Sequence, residues 1–225
     1  IKTDDKSNEI TAIPELIKTL ALEGTIITID AIGCQKKITR TIIAEKADYV
    51  LQVKDNQQRL HEDIALFFQD TENGAFDTCE TIDGDHGRIE TRQYVATSDI
   101  DWLPGKHLWA GIKTIVMAVR QREVNAKVST ETSYFISSLE NHPPTIAKAI
   151  REHWGIENGL HWCLDIAFRE DSCRVRKDHA PENLGIVRHM AINLLKRETS
   201  LKGGIQTKRL KAAWDHDYLL KVLAA

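Results

Sequence analysis

The sequence predicts an α/β protein with an antiparallel β-rich insertion and a helical C-terminal part. Three observations favour this class. Near the N-terminus, segments with strand and helix periodicity alternate, which is typical of parallel strands joined by helices. In the next stretch, polar and apolar residues alternate, and glycines interrupt the chain. Helical periodicity then dominates, so we expect a core at 1–72, an insertion at 73–143 and a helical part at 144–225.

The core is expected to alternate helices and strands. β-branched residues dominate Thr25 to Ile29, as expected for a strand that is covered on both faces. In such sheets, function gathers at the carboxyl ends of the strands, which here are Asp30 and Lys54 to Gln57. The predicted helices are 9–22, 35–46 and 57–69, and the predicted strands are 25–29 and 49–53.

The later elements follow from alternation and from helical spacing. Strands are predicted at 88–96, 107–119 and 132–139. Helices are predicted at 145–168, from Pro181 to Lys196, and at 208–223. The expected buried face of the long helix is Ala149, Ile156, Leu160, Cys163 and Ala167, and that of the next helix is Leu184, Val187, Ala191, Leu194 and Leu195.

The composition is that of a globular protein. The 225 residues are 42% hydrophobic and 28% charged, and no apolar run reaches the roughly 20 residues that cross a bilayer. The chain opens without a signal peptide or an initiator Met, which suggests a fragment of a longer protein. The four cysteines form no Cys-x-x-Cys pair, so we expect reduced thiols in a cytoplasmic protein.

Charge is distributed unevenly along the chain. Residues 1–101 hold 11 Lys and Arg against 20 Asp and Glu, whereas residues 169–211 hold 11 against 5. A basic block beside a carboxylate site suits a polyanionic substrate, whose phosphates the positive charges would bind around a metal centre. A solvated basic surface would give the same pattern.

Two carboxylates stand out as candidates for chemistry. Glu157 lies on the long helix between two tryptophans and two histidines, and Asp30 ends the first strand. A carboxylate after a strand and another on a distant helix are typical of a two-metal phosphoryl-transfer site. Asp165 is a weaker metal candidate, on the helix face where His153, Glu157, His161 and Asp165 recur every four residues.

Other roles fit the same residues. Asp30 could be a helix N-cap or a turn residue, and Glu157 could form a salt bridge with His153 or His161. A zinc site is a further alternative, although its spacings match no common zinc finger. Its ligands would be His161, Cys163, Cys173 and His179.

Several short motifs together resemble one family, the ISAs1 group of bacterial insertion-sequence transposases, which includes the H-repeat-associated proteins. The matching stretches span nearly the whole chain in the family's order. They are Lys6 to Ile10, Thr28 to Ala31 with Gly33 to Gln35, Asp48 to Val50, Lys54 with Asn56-Gln57, His86 to Glu90, His153 to Asn158 with Leu160 to Trp162, Asp165 to Arg176, and Arg188-His189 with Ala191 to Leu195.

This resemblance implies an RNase H-like fold, here incomplete at its N-terminus, and a DDE catalytic site. Asp30 matches the second carboxylate and Glu157 the third, while the first lies upstream of Ile1. The implied reaction is cleavage and strand transfer of DNA with two Mg²⁺ or Mn²⁺ ions, acting on transposon ends and target DNA. We expect this chain alone to be inactive; a homodimer is a further possibility.

The resemblance leaves two other functions open. One is an RNase H-like nuclease without strand transfer, and the other is an inactive DNA-binding relic. Strand-transfer products would separate the first from the transposase.

Candidate DNA contacts come from the same stretches. Trp154 and Trp162 could stack on a base, although we expect at least one of them to pack in the core. Asn56 and Gln57 could contact DNA or cap the next helix. His86 and Arg92 are weaker candidates. The predicted contacts are Asn56, Gln57, Arg88, His153, Trp154, His161, Arg174, Arg176, Lys177 and Arg188.

Overall fold

A six-stranded mixed sheet forms the centre of the first of two compact units in this computed structural model, which confirms the α/β class. The structure describes residues 9–69, 75–85, 88–125 and 127–225, and only the main chain of Glu9, Asp85, Glu157 and Asn158. The first unit is Ile1–His153 and the second is Trp154–Ala225.

The first unit contains six strands and four helices among the residues described. The strand order in the sheet is β1-β2-β6-β5-β4-β3. The elements are α1 (Glu9–Thr19), β1 (Ile26–Ile29), α2 (Lys36–Ala44), β2 (Asp48–Val53), α3 (Gln58–Phe67), β3 (Asp77–Asp85), β4 (Arg88–Thr97), β5 (Thr114–Val124), β6 (Lys127–Ser137) and α4 (Pro143–Ile156), which enters the second unit by three residues.

Strands β1 and β2 are the parallel pair that the sequence predicts, with Ile26 opposite Asp48 and Ile29 opposite Leu51. The prediction that β1 is covered on both faces is wrong. Its residues are half-buried and Ile26 is 39% exposed, because β1 pairs with β2 alone within the described chain. Strand β2, which lies between β1 and β6, is the more buried strand of the parallel pair.

The remaining strands form an antiparallel meander, β3 to β6, and β6 also pairs with β2. The predicted strands 88–96 and 132–139 correspond to β4 and β6. The predicted strand 107–119 starts too early, because a 3₁₀ turn occupies Lys106–Leu108 and Gly111 has a positive φ of 70°. Strand β3 was not predicted, since this edge strand is largely polar.

Helices cover both faces of the sheet, and the alternation along β2 shows how. Tyr49, Leu51 and Val53 join the core that contains residues of α2 and α3, while Val50 joins a second core. That second core includes Ile146, Ala147, Ala149 and Ile150 of α4. The turns that follow β1 and β2 therefore begin at the carboxyl ends of strands in a sheet that is packed between helices.

A continuous helical run connects α4 to α5 (Trp162–Phe168), as the predicted helix 145–168 requires, but its middle is a π-helix, Glu157–His161. The wider π turn accommodates an extra residue and changes which positions share a face. The predicted buried face is therefore wrong in part: Ile156 is 53% exposed, and Leu164 is buried whereas Cys163 is half-buried.

The second unit also contains α6 (Ala180–Arg197), α7 (Ile205–Trp214) and α8 (His216–Leu223). Pro181 lies in the first turn of α6, as predicted. The buried face of α6 differs in part from the prediction, since Val187 is 59% exposed and Ile192 is fully buried, whereas Leu195 is buried as predicted. The single predicted helix 208–223 is two helices, because Asp215 accepts a hydrogen bond from the main chain of Tyr218 and caps α8.

A polar cluster holds α6, α7 and the start of α8 together. The ammonium of the buried Lys208 donates to the carbonyl oxygens of Leu195 and Glu198. The Glu198 carboxylate accepts from the main chain of Ser200 and from the Tyr218 hydroxyl, at 2.6 Å in each case. These bonds lower the pKa of Glu198 to about 2.

None of the helices described is both long enough and apolar enough to span a membrane.

Candidate active site at the carboxyl end of strand β1

Asp30 follows the last residue of β1, where the sequence places it. It occupies the N-cap position of the 3₁₀ turn Ala31–Gly33, but its side chain makes no capping hydrogen bond. The carboxylate is exposed and has no hydrogen bond or ion pair to any side chain that the structure describes. The alternative of a cap or turn residue is therefore confirmed for the position of Asp30, although its exposed side chain makes no capping bond.

The turn after Asp30 is packed tightly onto the strand that precedes it. A Cβ at Gly33 would lie 2.2 Å from Ile29 Cγ2, so glycine is required for this close approach. Cys34 is fully buried, and burial raises the pKa of its thiol to about 12. The main chain of Gly33 donates to Asp30 O at 3.0 Å, and that of Cys34 to Ala31 O at 3.1 Å.

Asn56 and Gln57, at the end of β2, bind this turn directly. Asn56 Nδ2 donates to Ala31 O, and Gln57 Nε2 donates to Cys34 O at 3.0 Å. Gln57 is the N-cap residue of α3, as the helix-cap alternative predicts, although its side chain makes no capping bond to that helix. Their contact with DNA stays a prediction.

His153 also lies beside β1. Its Nδ1 is 3.2 Å from Thr28 Oγ1, and the half-buried histidine stands near the C-terminal end of α4. Thr28 is two residues before Asp30, so this hydrogen bond fixes α4 against the end of the strand that carries the carboxylate. His153 therefore has a partner on the sheet, while its contact with DNA is untested.

Glu157 is the first residue of the π-helical segment. Segments of this kind are rare and frequently mark functional sites. The segment is tied to α6 by Lys196 Nζ, which donates to Gly159 O at 2.9 Å. The side chain of Glu157 lies outside the described residues, so its predicted roles as metal ligand or salt-bridge partner remain predictions.

The chemistry of Asp30 fits a hard divalent cation. Mg²⁺ and Mn²⁺ prefer carboxylate oxygen, and the Asp30 oxygens are exposed and uncommitted to the side chains described. No three His, Cys, Asp or Glu side chains among those described form a group that could hold a metal. The zinc alternative is therefore wrong, since all four of its ligands are described: His161, Cys163, Cys173 and His179.

The predicted phosphate contacts of the basic block divide into two groups. Arg174, Arg176 and Lys177 are exposed on the loop between α5 and α6. Arg188 is different, because its guanidinium donates to the Glu170 carboxylate at 3.1 Å. The first three side chains are therefore better placed to meet a polyanion from solvent.

The arginines of the β-meander are engaged in ion pairs. Arg92 is buried and pairs with Asp83 and Glu90, so its prediction as a DNA contact is wrong: the guanidinium is enclosed. Arg88 is more exposed, and its Nε lies 3.6 Å from the Glu90 carboxylate. His86 lies outside the described residues.

The tryptophans flanking the π segment are both exposed, Trp154 at 37% and Trp162 at 60%. The expectation that at least one packs in the core is wrong. His161, at the end of the segment, is also exposed. Their stacking or hydrogen bonding with DNA stays a prediction.

Comparison with known proteins gives a consistent result. The family model described as "Transposase DDE domain" matches residues 1–194, which include Asp30 and Glu157. Two proteins of Escherichia coli strain K12, "Putative protein YbfL" and "H repeat-associated putative transposase YhhI", are each 41% identical over the whole chain and 61% of their own length. "Putative transposase YncI" of Escherichia coli O157:H7 is 40% identical over the whole chain and 59% of its own length.

No solved structure matches the chain. The chain spans about three fifths of the length of these curated relatives. The family model covers most of the chain, and the similarity to the relatives is spread over all of it. The chain belongs to the DDE transposase family.

Proposed function

We propose that this chain is the catalytic part of a DNA transposase that cleaves the ends of an insertion sequence and joins them to target DNA. The observation that carries the proposal is Asp30: an exposed, uncommitted carboxylate at the carboxyl end of β1, within the region that the family model matches. The relatives named as transposases support the same reaction.

Asp30 and Glu157 are proposed as metal ligands, and the complete protein is proposed to have an RNase H-like fold. The parallel β1–α2–β2 unit and the carboxylate at the end of β1 support the fold. Bound Mg²⁺ or Mn²⁺ would supply charge stabilisation at the attacking and leaving oxygens of the phosphodiester. The role of Asp30 is to present two carboxylate oxygens from a turn that is fixed on the sheet.

DNA is the proposed substrate, and the exposed loop side chains Arg174, Arg176 and Lys177 are proposed to bind its phosphates. Their charges sit in the segment 169–211, which has six more basic than acidic residues. Exposed cations on a loop bind phosphates independently of sequence and mainly position the DNA.

A strand-transfer assay tests this function. The complete transposase is mixed with Mg²⁺, labelled DNA carrying the ends of its own insertion element, and a supercoiled target plasmid. We expect labelled ends joined to the plasmid, and no joined product with Asp30→Asn or Glu157→Gln. Cleavage without joining would identify a nuclease instead, and an unchanged yield with Asp30→Asn would contradict the proposed site.

A further inference from the structure

We infer that Asn56 and Gln57 are positioning residues that hold the Asp30 carboxylate in place through the turn that follows it. The inference rests on the proposed function, because it takes Asp30 as a metal ligand. Each residue donates a side-chain amide hydrogen bond from the end of β2 to the turn after β1.

The two hydrogen bonds reach both ends of the turn. Asn56 donates to the carbonyl of Ala31, the residue next to Asp30, and Gln57 donates to the carbonyl of Cys34. Ala31 O also accepts the main-chain hydrogen bond of Cys34, so its acceptor capacity is used fully. Together these bonds fix the 3₁₀ turn at its first residue and just beyond its last.

The other contacts of the turn hold its inner side against strand β1. They do not restrain the side of the turn that faces solvent. Gly33 lies against Ile29 and Cys34 is buried, which hold the inner side on the sheet. Ile32 is exposed, and Gln35 Nε2 makes a long contact of 3.4 Å to Ile32 O. The amides of Asn56 and Gln57 are therefore the side-chain links between the two neighbouring strand ends among the residues described.

The position of the Asp30 carboxylate depends on this turn. Its side chain takes no capping hydrogen bond, so the protein positions it through the main chain, which at φ −63° and ψ −177° sets the direction of the Cα–Cβ bond. A metal ligand must stay within a fraction of an ångström of its productive position, and the groups that orient ligands affect metal affinity about 10- to 100-fold.

A pair of shape-matched variants tests the role. Asn56→Leu and Gln57→Met remove the amide donors while keeping similar side-chain volume, and neither changes the charge. Gln58→Met is the matched control, because Gln58 is the next residue and its amide binds Glu62 on α3 at 2.8 Å. Asp30→Asn reports whether the metal site itself exists.

Mn²⁺ binding is measured by the electron paramagnetic resonance signal of free Mn²⁺ during titration of each protein, with thermal unfolding measured alongside. We expect Asn56→Leu and Gln57→Met each to weaken Mn²⁺ binding about tenfold, and Gln58→Met to leave it unchanged. In the complete transposase, cleavage by the first two variants should require more Mn²⁺ but recover at saturation, which a damaged fold would not allow.

The outcomes separate this inference from the proposed function. If Asp30→Asn weakens Mn²⁺ binding while Asn56→Leu and Gln57→Met bind it as the unmodified protein does, the positioning role is wrong and the metal site stands. Equal weakening by Gln58→Met would also overturn the role. If Asp30→Asn has no effect, the proposed metal site is wrong. Should Asn56→Leu fail to fold, the comparison of Gln57→Met with Gln58→Met decides.

Discussion

The residue scale explains why Asp30 is available for chemistry. The turn after it is held by main-chain bonds, by a glycine against Ile29 and by two side-chain amides, so the Asp30 carboxylate is not needed for local stability. Folded proteins are only marginally stable, so residues that stabilise the fold are hard to spare. Asp30 makes no such contribution through its carboxylate, which is therefore available to bind a metal. The position of Asp30 at a strand end was predictable from the β-branched run before it.

Gly33 should tolerate no larger side chain. In Gly33→Ala the new Cβ would overlap Ile29 Cγ2, so the turn must move, and we expect a loss of about 1–3 kcal/mol in unfolding free energy. Gly185→Ala is the control, since a Cβ there meets nothing within 4 Å in the middle of α6, and it should stabilise by about 0.5–1 kcal/mol. Urea unfolding of both variants measures these changes, and a neutral Gly33→Ala would refute the tight packing.

The two cysteines Cys34 and Cys173 should react very differently. Burial raises the pKa of Cys34 to about 12, whereas a hydrogen bond from the Val175 main chain, followed by Arg188, lowers the pKa of the half-buried Cys173. Brief alkylation of the native protein at pH 8, read by peptide mass spectrometry, should label Cys173 and leave Cys34 unmodified. Equal labelling would show that the Asp30 turn opens readily.

The partners of Asn56 and Gln57 were beyond sequence reasoning. Each binds a carbonyl more than 20 positions earlier in the chain, and no local pattern encodes such a pairing. The sequence placed both residues at a strand end and predicted contact with DNA or a helix cap. The parallel pairing of β1 with β2 brings the two turns together and gives the amides their partners.

At the scale of elements, the sequence predicted helices and strands where apolar periodicity was strong. Strands β1 and β2 and helices α2 and α3 follow from it. Strand β3 escaped because most of its described side chains are exposed, so it lacks apolar alternation. The π-helix escaped because apolar periodicity does not distinguish a π turn inside a helix from an α turn. The break between α7 and α8 depends on a single cap, Asp215, within an otherwise helical pattern.

The polar cluster of α6, α7 and α8 should make the second unit sensitive to acid. The pKa of Glu198 is about 2 in the fold, below its ordinary value of 4.5, so its contribution to stability is present above about pH 4.5 and is lost as the pH falls towards 2. We expect Glu198→Gln to lower the urea midpoint of unfolding clearly at pH 7. The difference in midpoint between this variant and the unmodified protein should be smaller at pH 3.

The control for this experiment is Glu182→Gln, since Glu182 is exposed on the same helix. Its urea midpoint should follow that of the unmodified protein at both pH values. Far-ultraviolet circular dichroism reports the loss of helix in each case. A constant gap for Glu198→Gln from pH 7 to pH 3 would contradict the role of its carboxylate.

At the scale of the whole molecule, the mixed α/β class was predictable, but the strand order was not. Strand β6 pairs with β2 across about 80 residues of chain, and this long-range pairing joins the meander to the parallel pair in one sheet. Periodicity reports which residues are buried but not which strands are neighbours. The family resemblance depends on short sequence motifs and their order along the chain. It could therefore be recognised without knowing which strands are neighbours in the sheet.

DNA binding should depend on the exposed loop cations. Replacing Arg174, Arg176 and Lys177 together by Gln should weaken binding to a duplex and reduce the slope of log affinity against log salt by about one for each phosphate that the variant no longer binds. The control variant replaces Lys18, Lys46 and Lys106 by Gln, which removes the same amount of positive charge. These three lysines form ion pairs in the first unit. Fluorescence anisotropy across salt concentrations measures both, and equal weakening in both variants would contradict a localised surface.

The central claim is that Asp30 and Glu157 bind the same divalent metal site, and a Mn²⁺ titration of Asp30→Asn, Glu157→Gln and the double variant tests it most directly. We expect each single variant to weaken Mn²⁺ binding at least about tenfold. The factor by which the double variant weakens binding should be smaller than the product of the two single factors, because ligands of one ion act together. Singles that bind Mn²⁺ as the unmodified chain does, or losses that multiply independently, would contradict the claim.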